Sequence, residues 1–531
     1  MRVLTLVLPE YKNLRGFRIG FDPSTPDVLI VGNNGTGKSN LIEALVTIFR
    51  DLIEAVSASR LDTPFAFAIR FEIAGRQVDV DHRPDRKPGR TAVRIDGRAA
   101  RLKDLHDPDK PLLPRTVFAY YSGPSDRLAK LFDNSLLRFR DAMIAGDSAA
   151  HERLIYGRMI HSRFVLLAFL IEEDPGALDV LRDELGISDL ASALFVLQRP
   201  EWQRAKRQTV KEKAQFWGAK GVVRDFLERL YDVSLAPLQL DVQEGGILGA
   251  RAKRQRLHLF LSQAHTLRDI VDEMRVEGEP RSRTLFRLLE SAFVSDLIHD
   301  VAVVVRKAGA PDGVGFRELS EGEQQLLMVL GLLRFTRNEE SLFLLDEPDT
   351  HLNPIWGMRL LDLVSRVVGQ DSSRHLLLVT HDPVAVASAS RDQVRLLVRR
   401  EDGHVVAMPP LEEPERLGVP GVLTSELFGL SSLVAPDIER DLEARRSLVS
   451  LGQTRSPEET DELERLSAEL ADVDLAATMP DPLYAEFLSR IRERDERLLR
   501  NRSELTRAEI DKRDQILAAF LDEIFGSQEE E

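Results

Sequence analysis

Val28-Leu29-Ile30-Val31-Gly32-Asn33-Asn34-Gly35-Thr36-Gly37-Lys38-Ser39 is an apolar run that breaks into a glycine-rich turn closed by Lys-Ser. The run before Gly32 reads as a buried strand, and the pattern that follows predicts a helix from Lys38 to Ala55. Strand, turn and helix in that order are the setting of a phosphate-binding loop. Its glycines let backbone N–H groups curl around phosphate oxygens, and the helix N-terminus turns its positive end toward them. Lys38 is then expected to reach the β and γ phosphates of a nucleotide, and Ser39 to hold Mg²⁺. The residues expected to bind nucleotide here are Gly32, Asn33, Asn34, Gly35, Thr36, Gly37, Lys38, Ser39 and Asn40.

Further along, Leu342-Phe343-Leu344-Leu345-Asp346-Glu347 is an apolar strand ending in two carboxylates, so that Asp346 could approach the metal while Glu347 faces an attacking water. Alone, a buried strand finishing in surface acids is commonplace. Its neighbours give it weight: Leu319-Ser320-Glu321-Gly322-Glu323-Gln324-Gln325 precedes it, and Leu377-Leu378-Val379-Thr380-His381-Asp382 follows. With all four motifs in this order, the sequence resembles the ABC-type ATPase superfamily in its RecF and SMC-like branch. That resemblance implies an α/β P-loop ATPase head. It assigns Ser320, Gly322 and Glu323 to a signature loop, Asn353 to the D-loop and His381 to the switch histidine. It implies ATP and Mg²⁺ as cofactors, with Glu347, His381 and Lys38 as catalytic residues and Ser39 and Asp346 as metal ligands. It further implies a homodimer or higher oligomer formed through the heads, each ATP lying between Lys38 of one chain and Ser320 of another.

The match departs from the family in two places. A glutamine is expected after the strand Arg115 to Tyr121, yet Tyr120-Tyr121-Ser122-Gly123 stands there. About 280 positions separate Ser39 from Leu319, too many for a compact transporter ATPase, and no heptad run is long enough for an extended coiled coil. The expected organisation is a head in two parts, residues 1–123 and 298–410, around a compact, mostly helical insert at 124–297, followed by an acidic helical tail at 411–531. Strands are predicted at Val3–Leu8, Arg15–Phe21, Phe65–Val80 and Ala92–Ile95. They resume at Val301–Val305, Leu342–Leu345, Leu376–Thr380 and Val394–Val398, where alternation with helices implies a largely parallel sheet. The densest tail helix is predicted from Glu486 to Phe525.

A closer resemblance is to ATPases of prokaryotic antiviral systems, the PtuA family of the Septu type and retron-linked ATPases. It rests on Leu8-Pro9-Glu10-Tyr11-Lys12-Asn13-Leu14, on Tyr120 to Gly123, on Phe216-Trp217-Gly218-Ala219 and on the acidic tail. The tail has no acidic cluster of the Toprim kind, and an HNH metal signature is absent, so any cleavage of nucleic acid is expected from a separate effector nuclease subunit. A RecF-like repair ATPase and a nucleotide-gated scaffold with little hydrolysis are the competing readings.

Composition bounds the rest. The 531 residues leave room for about three or four packed units. With no cysteine, thiolate catalysis, disulfides and Cys-ligated zinc are excluded together. The longest apolar runs, Phe164–Ile171 and Leu326–Leu333, are far shorter than the roughly 20 residues of a membrane helix, and a signal-peptide pattern is lacking, so no membrane partner and a cytoplasmic location are expected. The net charge of −15 resides in residues 411–531, which hold 30 acidic and 15 basic side chains; residues 1–410 balance at 57 of each. Within that neutral part lie three basic clusters: Arg83, Arg86, Lys87 and Arg90; Arg204, Lys206, Arg207, Lys211 and Lys213; and Arg251, Lys253, Arg254 and Arg256. Those of the insert are candidate DNA contacts. Trp202 and Trp217 are expected in the core rather than as base-stacking platforms.

Overall fold

The computed structural model describes the chain except for residues 57–60, 86–90, 108–109, 148–152, 173–174, 204–214, 245–251, 336–339, 369–373, 431–432, 452–454, 471–511, 514 and 516–531. Arg86, Lys87 and Arg90, the whole Arg204–Lys213 cluster, Arg251 and most of the helix expected over Glu486–Phe525 therefore lie outside the described residues. The chain divides into two compact units, Met1–Arg416 and Leu417–Glu531.

The first unit opens with β1 (Arg2–Tyr11), β2 (Leu14–Gly20), β3 (Asp27–Gly32), α1 (Lys38–Glu54), β4 (Phe67–Ile73), β5 (Arg76–His82), β6 (Thr91–Ile95), β7 (Arg98–Ala100) and β8 (Thr116–Tyr121). It continues through α2 (Asp133–Ala145), β9 (Leu154–Tyr156), α3 (Met159–Ile171), α4 (Pro175–Leu185), β10 (Ile187–Gln198), α5 (Gly221–Asp232), β11 (Leu235–Glu244), β12 (Ala252–Leu261), α6 (Ala264–Met274) and α7 (Arg281–Val294). Then come β13 (Ile298–Lys307), β14 (Ala310–Gly315), α8 (Glu321–Phe335), β15 (Ser341–Asp346), α9 (Pro354–Val368), β16 (Arg374–Val379), α10 (Pro383–Val386), β17 (Val394–Arg399) and β18 (Val405–Met408). Helix α11 (Pro414–Thr424), broken at Gly418, leads to α12 (Pro436–Ser450) and α13 (Pro457–Glu469) of the second unit.

The strands form three sheets. A seven-stranded sheet, ordered β18-β17-β3-β16-β15-β8-β9, is parallel except for the edge strand β18. Strands β3, β15 and β16 are buried at all six positions. They read as unbroken apolar runs because the sheet is covered on both faces. An antiparallel six-stranded sheet, β2-β1-β4-β5-β6-β7, shows the half-buried alternation in β4 (Phe67, Ile69, Phe71 and Ile73 inward). Between these two sheets runs α1, whose Leu41, Ile42, Leu45, Ile48, Phe49 and Leu52 are fully buried in one core with Phe17, Phe67, Phe71, Leu342 and Leu344. That burial fixes the helix carrying Lys38 and Ser39 against both layers.

A deeply buried polar knot ties β1 and β3 to β16. Arg374 makes a two-pronged contact to Asp27 at 2.8 and 2.9 Å. His375, entirely enclosed, accepts the Val3 N–H at 2.8 Å through Nδ1. Burial, with the charge of Arg2 acting in the same direction, pulls the His375 imidazole down to about 3.

The insert needs correcting. Helices α2 to α7 are there, but 124–297 also holds the long strands β10, β11 and β12, and β13, placed by its sequence with the parallel sheet, instead pairs antiparallel with β10. These strands and β14 form a third sheet, ordered β11-β12-β10-β13-β14. Register shifts near Asp189 and between Leu190 and Ser192 explain why β10 escapes notice. They leave buried Ile187, Leu190 and Ala193 three residues apart, a helical spacing, before the strand period returns at Phe195 and Leu197. Trp217 is buried as expected and donates to Gln255 at 3.0 Å. Among the described residues no helix is long and apolar enough to cross a membrane.

Candidate nucleotide site

Four neighbouring parallel strands deliver the candidate residues at their C-terminal ends. β3 runs into Gly32–Ser39, β16 into Thr380-His381, β15 into Asp346-Glu347 and β8 into Ser122. Ligands of open parallel sheets bind at that edge, where helix N-termini and loops converge.

The glycine-rich turn is set by backbone geometry. Gly35 and Gly37 have φ of +80° and +97°. At Gly37 an added Cβ would lie 2.8 Å from Asn13 Oδ1 and 2.8 Å from a Leu14 methyl. The turn between β1 and β2 thus presses on the loop and also braces it: Asn13 Nδ2 donates to the Gly35 carbonyl at 2.9 Å, and Arg399 donates to the same oxygen at 2.5 Å. Asn40, expected among the nucleotide-binding residues, donates to Asn13 Oδ1 at 2.6 Å and completes this brace. Thr36 is buried and donates to the Asn33 carbonyl at 2.8 Å, while Asn33 and Asn34 stand exposed at the crest. Lys38 folds back on its own loop, donating to the Gly32 carbonyl at 2.5 Å. Burial lowers its pKa, against the pull of Glu347 and Asp346.

Ser39 hydrogen-bonds the Asp346 carboxylate. Burial pushes Asp346 up to about 6; the Ser39 bond and the charges of Arg127 and Lys38 work against this rise, and adjacent Glu347 adds to it. Its buried Oδ1 has no hydrogen-bond partner among the described residues. A hydroxyl beside a carboxylate with an uncommitted oxygen is a donor set that suits Mg²⁺, a hard cation that takes one or two protein oxygens and fills its shell with phosphate and water. Glu347 holds a left-handed φ of +56°, unusual for a side-chain-bearing residue, and its N–H is anchored to the Val379 carbonyl at 2.9 Å. This places its half-buried carboxylate 3.2 Å from Nδ1 of the exposed His381. Asp349, also raised to about 6 by burial, accepts from Thr380, whose hydroxyl accepts the Asp382 N–H at 2.8 Å.

Ser320, Gly322 and Glu323 belong to a second cluster at the start of α8. Glu323 accepts the Ser320 N–H at 2.7 Å and its hydroxyl at 3.0 Å, and returns its own N–H to that hydroxyl at 3.2 Å, a reciprocal helix cap. Despite partial burial, bonds from Lys307 (2.6 Å) and Ser320 hold Glu323 below the ordinary carboxylate range. Gly322 has no room for a side chain, since a Cβ there would sit 2.5 Å from the His351 carbonyl. Gln325 donates to the Pro348 carbonyl at 2.5 Å, and Asn353 caps α9 by accepting the Trp356 N–H at 2.8 Å. Within one chain these contacts tie the Ser320–Glu323 turn to the segment after β15, not to the Lys38 loop.

Where the family glutamine is missing, the Ser122 N–H donates to the Asp346 carbonyl at 3.3 Å and the Ser122 hydroxyl meets the Thr350 hydroxyl at 3.1 Å. Arg127 packs over the Tyr121 ring and lies 3.0 Å from the buried Glu43 of α1, whose other oxygen pairs with Lys12. Sequence reasoning missed Arg127, Asp349, Thr380 and Arg399. Asn13 and Lys12 stand in the opening motif noted above, but no spacing rule connects them to the loop.

The family model described as "AAA domain, putative AbiEii toxin, Type IV TA system" matches residues 178–387. The chain has the fold of an α/β P-loop ATPase. Over part of its length the sequence is similar to that AAA domain and to an antiviral protein of the PtuA type. The Septu protein PtuA of Bacillus mycoides (strain KBAB4) is 23% identical over 202 residues, 36% of this chain and 28% of that protein, so the match spans little more than a quarter of the relative's length. Among solved structures, the SMC head domain from Thermotoga maritima is 15% identical with a TM-score of 0.31, covering 77% of this chain and 99% of that one. The SmcHead bound to the C-winged helix domain of ScpA is 17% identical with a TM-score of 0.33, covering 77% and 98%.

Proposed function

We propose that this chain is an ATP-binding and ATP-hydrolysing switch of an antiviral defence system, working as paired heads and controlling a separate effector nuclease. The observation that carries the reading is the gathering of Lys38, Ser39, Asp346, Glu347 and His381 at the ends of three adjacent parallel strands. Lys38 leaves its own carbonyls to meet the β and γ phosphates, and the Gly35–Gly37 amides wrap them. Ser39 and Asp346 would hold Mg²⁺, which would supply neutralising charge to the phosphates. Glu347 accepts the proton of the attacking water, and His381, in contact with Glu347, orients it and senses the γ-phosphate.

Ser320 and Gly322 meet the nucleotide of a second head, which agrees with their standing apart from Lys38 in a single chain. The defence role draws on the likeness to PtuA, and DNA contact on the basic clusters of the insert. Because Asp346 ends β15 and Glu347 follows it directly, while Gly322 and Gln325 touch the segment after it, closing the heads on ATP would be felt along α8.

Turnover by the purified full chain tests this. Phosphate release should require ATP and Mg²⁺, and Glu347→Gln should bind ATP as wild type does while turnover drops at least 100-fold, within the usual worth of a general base. DNA and RNA should stay intact. Wild-type turnover in the variant would remove Glu347 from the base position, and no turnover by the wild type would favour the nucleotide-gated scaffold.

A further inference from the structure

The turn that would receive a second head's nucleotide is acidic. Glu321 and Glu323 lie in the first turn of α8, and Glu318 stands just before it. A helix N-terminus attracts anions, but carboxylates placed there already meet its partial charge and repel a phosphate. Among the described residues, Glu323 is bonded to one cation. Lys307 Nζ donates to Glu323 Oε1 at 2.6 Å, while Oε2 accepts from the Ser320 N–H and hydroxyl. Neighbouring cations are committed elsewhere: Arg317 pairs with Asp300 at 2.8 Å, and His351 faces Glu321 at 3.6 Å.

Lys307 comes from another part of the fold. It is the last residue of β13, in register with Ile187 of β10 and Ala310 of β14. Its stem runs beside Gly186, where an added Cβ would lie 3.8 Å from Cγ and 3.9 Å from Cε. The next N–H along, that of Ala308, bonds the Gly186 carbonyl at 3.0 Å. The third sheet therefore aims this ammonium, while Gly322 and Gln325 fix the other side of the turn against His351 and Pro348.

We propose that Lys307 is a positioning residue for Ser320, pinning and neutralising Glu323 so that the Ser320 hydroxyl can turn from its own helix cap to the nucleotide of a second head. That hydroxyl has one proton, given to Glu323 in the single chain. Turning it to a phosphate withdraws the bond and leaves the carboxylate beside an anion. With Oε1 held by Lys307 and Oε2 by the Ser320 N–H, Glu323 keeps its place and its charge is met. The proposal rests on the ATPase reading, and it ties the third sheet to turnover.

The test compares the full chain with Lys307→Met, which keeps the stem and drops the charge, and Lys307→Arg, which keeps the charge. Lys307→Met should bind a fluorescent ATP analogue within about twofold of wild type, because the Lys38 loop is a separate site. Its kcat should fall roughly tenfold or more, the worth of one charge-assisted hydrogen bond, and Lys307→Arg should recover most of that loss. Added to Glu323→Gln, where no charge needs neutralising, Lys307→Met should cost less than about twofold further. A purely structural role would cost the same in both backgrounds. Should Lys307→Met lose its fold by circular dichroism, Lys307→Gln replaces it. Equal costs in the two backgrounds, or wild-type turnover in Lys307→Met, overturn the proposal. Ser320→Arg separates the two levels: if it abolishes turnover while Lys307→Met does not, Lys307 alone loses its role. Wild-type turnover in both variants, or none in the wild type, removes the underlying reading and the proposal with it.

Discussion

Gly37→Ala isolates how the β1–β2 turn shapes the phosphate loop. The new methyl would be held at φ +97° with its Cβ 2.8 Å from Asn13 Oδ1, 2.8 Å from the Leu14 methyl and 3.0 Å from Asn13 Nδ2. The backbone conformation alone costs ~1–2 kcal/mol, and crowding of a packed site adds ~1–3 kcal/mol. If the loop yields rather than the sheet, ATP affinity should fall by roughly 30-fold to 3,000-fold, at ~1.4 kcal/mol per factor of ten. Gly35→Ala is the matched control, because its φ is +80° yet nothing lies within 4 Å of an added Cβ. It should lose only the backbone share, about 5-fold to 30-fold. Titration with a fluorescent ATP analogue reads both, and thermal midpoints show whether strain has spread beyond the loop. Equal affinities for the two variants would refute the idea that contact with Asn13 and Leu14 shapes this loop.

Other outcomes follow from the same contacts. Arg374→Met should destabilise the chain by ~3–5 kcal/mol in urea unfolding, because it leaves Asp27 buried without its partner; a loss under about 1 kcal/mol would show that water reaches Asp27. His375 is held at about 3 against an ordinary 6.5, so the unfolded chain binds more protons below pH 6.5 and stability is lost as pH falls from there toward 3. By pH 5 this should amount to ~2 kcal/mol, absent from a His375→Gln variant, and parallel pH profiles for the two proteins would contradict it. Ser320→Arg should bind ATP yet fail in turnover, and mixing it with Lys38→Ala should restore one composite site; a titration showing no recovery would count against shared sites.

The glycine-rich loop, the acidic strand end and the Thr380-His381 strand end could be located from sequence because each is a short local run, and the structure gathers them at neighbouring strand ends. Glycine is favoured where φ is positive, as at Gly35 and Gly37, and a lysine-serine pair opening the helix that follows is the pattern expected of a phosphate loop. Strands β3, β15 and β16 were equally legible, since burial on both faces leaves only apolar residues. Legibility failed where structure depends on pairing at a distance. β10 looked helical because its register shifts break the strand period, and β13 was given to the wrong sheet because its run of valines does not say which partner it takes. Arg399 reaches Gly35 across 364 positions, and Arg127 finds Glu43 on another element. Such contacts leave no local period in the chain. Sequence alone therefore determined the chemistry available at the strand ends, because that chemistry is local. Only the tertiary structure decided how Asn13, Arg399 and Asn40 brace the loop, why Asp346 carries an unsatisfied oxygen, and how Lys307 of β13 reaches Glu323. Those are set by what the folded chain brings alongside.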